Sequence, residues 1–373
     1  MPLTLLALPY RMRLLLLPCL LSVAALALVA CGDDDSAGAT SCESSVDRAD
    51  VLATSAGEVD ERISRLTIAV GQLDMAIGEL LADPRPELVE RAKQTLLTAR
   101  FTFADLAPYA LVVDPSQQTL PSLAAFPVDT ALINGYVTGA PLDPATAPDF
   151  DRGFAAVEYL LHAAPAERTA DRLRDESTRS ALLRAYVDDV VTRVERAGTL
   201  WADGRDAFVS TDGTAAGSGF SRLVNSLSKH YEDTRRDRLG TPFGVTLGFP
   251  SPQTLEAPYS GHSLRLLRRN IEASAMAYED AGVRASVTLA DYLAGLGTAE
   301  PTELNADIAA RYAEAQTALD ALPDDLATAF ENDRDAVQTA YNAISRQVVN
   351  LKTDLPSVTC VSITYVDNPS DSD

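Results

Sequence analysis

Apolar residues recur at three- and four-residue spacing almost everywhere in this chain, and that property constrains its fold more than any other. From Val51 to Leu81 the stripe Ile63, Leu66, Val70, Leu73, Ile77 and Leu80 keeps the helical period unbroken. ADPRP then ends it, since Pro84 and Pro86 cannot continue the hydrogen-bond ladder. A second helix is predicted from Pro86 to about Ala107. Residues 109–148 are proline-rich and read as irregular, with one short helix near Thr130. The segment GFAAVEYLLHA, Gly153 to Ala163, lies in a helix that starts near Phe150 and closes at Pro165. A long amphipathic helix follows from Glu167 to about Ala202, with Leu183, Val187, Val190, Val194 and Trp201 on its apolar face. Further helices are predicted at 220–238, 262–280, 286–296, 301–322 and 324–351. Strand-like alternation is missing throughout, so the fold class is all-α.

Composition shifts divide the helices into two helical-bundle domains, 45–202 and 220–366. The stretch DGRDAFVSTDGTAAGSG, 203–219, reads as the linker between them. Residues 240–258 form a long Pro- and Gly-containing loop, the kind that tends to carry function. SVTCVSITYV is β-branched and reads as a short extended C-terminal segment packed on the bundle.

The first 30 residues read as a signal peptide: Arg11 and Arg13 precede the apolar run LLLLPCLLSVAALALVA. Leu28-Val29-Ala30-Cys31 resembles the lipobox of bacterial lipoproteins, which implies cleavage before Cys31 and its lipidation. Residues 31–44 are too polar to fold and read as a flexible tether, and 367–373 as an acidic tail. Four cysteines occur in the chain. With Cys19 in the leader and Cys31 in the lipobox, Cys42 and Cys360 remain, and in an oxidising compartment they are expected to form a disulfide. The net charge of −22 argues against a nucleic-acid partner. The membrane partner is reached through the lipid on Cys31, and the expected location is the bacterial envelope, on the outer membrane facing the periplasm.

GFAAVEYLLHA carries a puzzle. Phe154, Val157 and Leu161 form an apolar stripe, yet Glu158 borders it and His162 lies one turn further along the same face. A carboxylate and an imidazole four residues apart can share a metal, with iron or zinc as candidates. They can equally form an ion pair, or border an interface with His162 favoured at a helix C-terminus. Ser260 is expected to cap the helix beginning at His262, with His262 either in an exposed first turn or facing Glu158. His230, in the polar run SKHYEDTRRDR, is expected at the solvent surface. Arg268 and Arg269 read as a solvated face or as partners of buried acids. HExxH and Ser/His/Asp patterns are absent.

The same segment resembles the signature of the imelysin family, GxHxxE: Gly153 matches the Gly and Glu158 the Glu, while Ala155 stands where the family has His. IGELLADPRPELVERAKQTLLTAR, FPVDTALING, LGTPFG and LEAPYSGHSLRLLRRNI resemble further family segments in order, covering most of the chain after about residue 50. The resemblance implies an envelope-located all-helical protein of two bundles, with a site in the cleft between them. It carries Gly153 and Glu158 over from the first domain, and Glu256, Ser260 and Ser263 from the second. His162 and His262 join them as cleft residues, with Glu158 and His162 as the metal pair. The family is classed with metallopeptidases, and relatives are linked to iron uptake. Ala155 removes an expected ligand, and Ala107 stands where relatives carry a carboxylate, leaving only Asp105 nearby. The reading that follows is non-enzymatic: a lipid-anchored protein binding a metal or other ligand in the cleft, with iron-uptake components as partners. The alternatives are a metallopeptidase of the imelysin type and an interaction lipoprotein with a vestigial cleft.

Overall fold

The computed structural model describes residues 42–139, 152–279 and 287–365. The expected signal peptide, the expected lipidation site Cys31, all but the last residues of the expected 31–44 tether and the 367–373 tail lie outside them. The chain is all-α as expected, with no strand among the described residues.

Helix α1, Arg48–Ala82, starts where the Asp47 carboxylate accepts the Ala49 N–H. Helix α2, Pro86–Leu106, opens on a proline, whose missing donor is harmless there. Short helical turns at Ala107–Tyr109, Ala110–Val113 and Leu120–Leu123 follow. Then come α3, Thr130–Val137, and α4, Gly153–His162. The helix expected from Glu167 to Ala202 is two helices, α5, Ala166–Asp175, and α6, Ser177–Val209. Ser180 Oγ donates to the Leu173 carbonyl across the break at 2.5 Å. Because α6 runs on to Val209, only 210–218 of the expected linker is non-helical. That loop is tied down: the Gly219 N–H donates to the Thr211 carbonyl at 2.7 Å and to its hydroxyl at 2.8 Å.

Helix α7, Gly219–Asp233, is capped by Ser218 and passes without a break into a π-helical segment, Thr234–Gly240. Then follow α8, Ser263–Glu279; α9, Leu289–Gly295; α10, Ala299–Asp320; α11, Leu326–Asn332; and α12, Arg334–Val349. Thr288 and Asp291 form a reciprocal capping box on α9. The expected 324–351 helix thus breaks at Asp333, whose side chain caps α12 by accepting the Ala336 N–H.

Helix α1 packs on α2 and α6, α10 packs on α12, and α2 packs on both α4 and α8. Leu66, Leu73, Leu96, Val187, Leu227, Leu267 and Ile344 belong to one continuous core that spans the 210–218 loop. Cys42 and Cys360 form the expected disulfide. At the C-terminus Leu355–Thr359 is a helical turn rather than extended chain. Residues 361–365 beyond it lie against α7, with the Thr364 N–H donating to Asn225 Oδ1 at 2.7 Å.

Candidate functional site

Glu158 is 1% exposed, so an isolated charge there would be costly. Its partner comes from α2: Arg100 Nη1 donates to Glu158 Oε2. Glu158 Oε1 accepts two backbone donors, the N–H of Tyr259 at 3.2 Å and of Ser260 at 2.9 Å. Arg100 continues to the 255–262 loop, donating to the Glu256 carbonyl at 2.9 Å and lying 3.5 Å from its carboxylate. Glu256 Oε2 in turn lies 2.9 Å from Nε of Arg238, in the π segment. Two carboxylates and two guanidiniums thus alternate as Glu158, Arg100, Glu256, Arg238, every one of them 9% exposed or less. The network ties α2 and α4, from the N-terminal part of the chain, to a loop and a π segment of the C-terminal part.

Gly153 makes this register possible. It starts α4 at φ +74°, and a Cβ there would sit 2.5 Å from the Ser122 carbonyl oxygen and 2.7 Å from that of Leu123. Only glycine tolerates both the backbone angle and the contact. Ser263 accepts the Ala257 N–H on its hydroxyl at 3.0 Å, which folds the loop back on the start of α8. Ser260 does not cap α8: the helix starts at Ser263, and the Ser260 N–H serves Glu158 instead. Tyr159 and Tyr259 pack edge to face across the same junction, with ring centroids 5.0 Å apart.

His162 and His262 do face each other, with ring centroids 6.4 Å apart, and with Glu158 they line a cavity of about 10 Å³. That volume holds about one water. Lys93 and Arg100 line it as well. Burial first, then Lys93, pulls the His162 pKa from 6.5 down to about 3. Burial first, then Arg265, lowers that of His262. Ala155 borders a second cavity of the same size, beside Arg100 and Glu256.

These residues do not suit a metal ion. Both oxygens of Glu158 are engaged by Arg100 and two amides, so the guanidinium stands where a cation would bind. Among the described residues no group of three His, Cys, Asp or Glu side chains is placed to hold a metal. The structure therefore places Glu158, His162, Glu256, Ser260, His262 and Ser263 at one junction, but joins the carboxylates to arginines rather than to His162. Asp105 is likewise paired, with Arg269 at 2.5–2.7 Å. Arg269 so neutralises an acid, while Arg268 reaches Asp320 at 3.2 Å.

Arg100 and Arg238 are the network residues not singled out from the sequence, and Arg100 is the central one. Its signal was present: Leu96, Arg100 and Phe103 follow the helical spacing of the buried face of α2. His230 is the second correction. It is 8% exposed rather than solvated, because α7 packs on α8 through that face and His230 Nε2 lies 3.2 Å from the Asn270 carbonyl.

Burial first, then Arg238, lowers the His230 pKa to about 3. Unfolded, both imidazoles titrate near 6.5; folded, they stay neutral down to about 3. The unfolded chain therefore binds more protons in that window, so stability falls as pH drops below about 6.5 and levels off near 3. We expect His230 alone to remove about 2 kcal/mol between pH 7 and pH 5, with less from the half-buried His162. Urea unfolding at the two pH values checks this, and His230→Gln should flatten the difference. An unchanged pH dependence in that variant would refute it.

The sequence profile of the Imelysin family, peptidase M75, matches residues 62–351. An imelysin-like protein from Psychrobacter arcticum 273-4 has a similar structure, with TM-score 0.69 and 15% identity, covering 85% of this chain and 97% of that one. So does a protein described as an iron-regulated protein A precursor from Parabacteroides distasonis ATCC 8503, with TM-score 0.67 and 14% identity, covering 84% and 94%. At such identity the likeness is one of fold. No curated protein sequence matches the chain. Since the family profile spans both sides of the arginine–carboxylate network, the chain belongs to the imelysin family.

Proposed function

We propose that this chain is a non-catalytic, lipid-anchored envelope protein that binds a ligand where its N- and C-terminal helices meet, in an iron-uptake-related role. One observation carries the non-catalytic reading: the signature carboxylate Glu158 is held by Arg100 and two backbone amides. A hydrolytic zinc site needs about three protein ligands and an open position for water. Three acceptor sites of Glu158 are taken by Arg100 and the two amides, and Ala155 supplies no imidazole. In this reading the signature segment acts as a latch between helices. The iron connection draws on the description of the Parabacteroides protein. The anchor draws on Leu28-Val29-Ala30-Cys31, with the outer membrane, periplasmic face, as its place and iron-uptake components as partners.

The test is metal stoichiometry with proteolysis. Purified protein titrated with zinc chloride or ferric citrate should bind no equivalent that Glu158→Gln abolishes. It should also show no chelator-sensitive cleavage of denatured casein. One tightly bound metal per chain that is lost in Glu158→Gln, or such cleavage, would overturn the reading.

A further inference from the structure

Beside the network, and apart from the two water-sized spaces at the signature residues, lies a cavity of about 280 Å³. That is close to the lower end of small-molecule sites, roughly 300 Å³. One side is apolar, formed by Phe103, Ala107, Leu111, Leu120, Ala124 and Phe126. The other is the polar edge of α7 and the π segment: Ser226, Lys229, His230, Asp233, Asp237 and Arg238. The π segment explains how Arg238 joins that edge. With i to i+5 bonding, the widened turn sets both Asp237 and Arg238 over Asp233, where an α-helix would carry Arg238 off the face.

The hydrogen-bonding capacity left on this wall defines what it recognises. Its carboxylates are already engaged. Asp233 bridges Lys229 at 2.5 Å and Arg236 at 2.6 Å, and Asp237 takes Arg236 at 2.8 and 2.9 Å. Asp114 accepts from Ser116 Oγ, the Thr119 N–H and the Leu120 N–H. The cations are less fully engaged. Lys229 has three ammonium donors and one carboxylate partner. Arg238, 9% exposed, pairs with Glu256 through Nε, and that nitrogen has no aligned hydrogen bond. The unfilled donors are therefore on Lys229 and Arg238, beside three carboxylates that are already engaged. His230 adds one acceptor. A carbonyl can only accept, so the Asn270 contact places the proton of the neutral ring on Nε2 and leaves Nδ1 with its lone pair.

We propose that this cavity binds a small hydroxyaryl carboxylate, its ring against Phe103 and Leu120, its carboxylate toward Lys229 and Arg238, whose guanidinium lies over the Phe126 ring, and its hydroxyl donating to His230. The site shares Arg238 with the network but does not include Glu158, so it stands whether or not the non-catalytic reading does.

Calorimetric titration of the purified protein with three probes tests it: 3-(4-hydroxyphenyl)propanoate, 3-phenylpropanoate, and tyramine, which replaces the carboxylate by an ammonium. The hydroxyaryl carboxylate should bind one per chain, the deoxy probe several-fold more weakly, and tyramine at least tenfold more weakly. Ala124→Phe, which fills the cavity, and Lys229→Gln, at a half-buried position, should each weaken the first probe at least tenfold. Both should keep the wild-type melting temperature. If Ala124→Phe does not fold, Lys229→Gln alone decides. Failure of the carboxylates to bind at millimolar concentration, tyramine binding as well as they do, or binding indifferent to the foldable variants would each overturn the proposal.

Discussion

Replacing Arg100 by Met is expected to lower the unfolding free energy by about 3–5 kcal/mol, the range for removing one partner of a buried ion pair. The side chain is 6% exposed and serves two carboxylates and a backbone carbonyl. Without it, Glu158 keeps only the amides of Tyr259 and Ser260, and Glu256 keeps only Arg238. Glu158→Gln should cost less, because the amide oxygen still accepts those two backbone donors and Arg100 retains Glu256. The double variant should lose less than the sum of the singles, since the neutral glutamine no longer needs a cation. Urea unfolding of the four proteins measures the coupling. An Arg100→Met protein within 1 kcal/mol of wild type would mean that the network contributes little to holding the two parts of the chain together.

Loss of the Cys42–Cys360 disulfide should have an effect of similar size. Its cysteines are 318 positions apart. For a loop that long the chain-entropy model gives a ceiling of about 6 kcal/mol. The realised loss should be about 2–5 kcal/mol, because other contacts also seat residue 42 on the fold. The Cys42 carbonyl accepts from Tyr292 Oη at 2.6 Å and Arg48 Nη2 at 2.8 Å. The Ser45 N–H reaches the Gly295 carbonyl at 2.8 Å. Melting of Cys42→Ala/Cys360→Ala should show a clear drop in midpoint. Adding reductant should lower the wild type toward the variant and leave the variant unchanged. An unaltered midpoint would show that these contacts suffice.

Where local pattern and burial coincide, the fold was legible in the sequence. The stripe from Ile63 to Leu80 lies inside α1, and the prolines at 84 and 86 mark the turn to α2. Breaks without a proline were not legible. Those at Glu176 and Asp333 sit in sequences that read as uninterrupted helix, and the π turns at 234–240 and 350–354 begin inside the helices expected to end at 238 and 351. Tertiary packing decides them. For the site, the resemblance found Gly153, Glu158 and Glu256, and the structure adds why Gly153 must be glycine. The cations were missed for a common reason. Arg100 and Arg238 have long side chains that usually reach solvent, so each reads as surface until a buried carboxylate is placed beside it. His230 was misread because its neighbours Lys229, Glu232 and Asp233 made the run look polar, whereas Leu227, Tyr231 and Thr234 are buried with it.

The cystine at 42 and 360 makes the intervening chain a covalent ring. A protease that cuts once in the 210–218 loop opens that ring but releases nothing, since both pieces remain joined at their far ends. Shedding either part of the fold requires a second cut or reduction of the bond, and even a nicked molecule keeps the Arg100 network across the seam. Limited proteolysis should therefore give two bands on a reducing gel and one on a non-reducing gel.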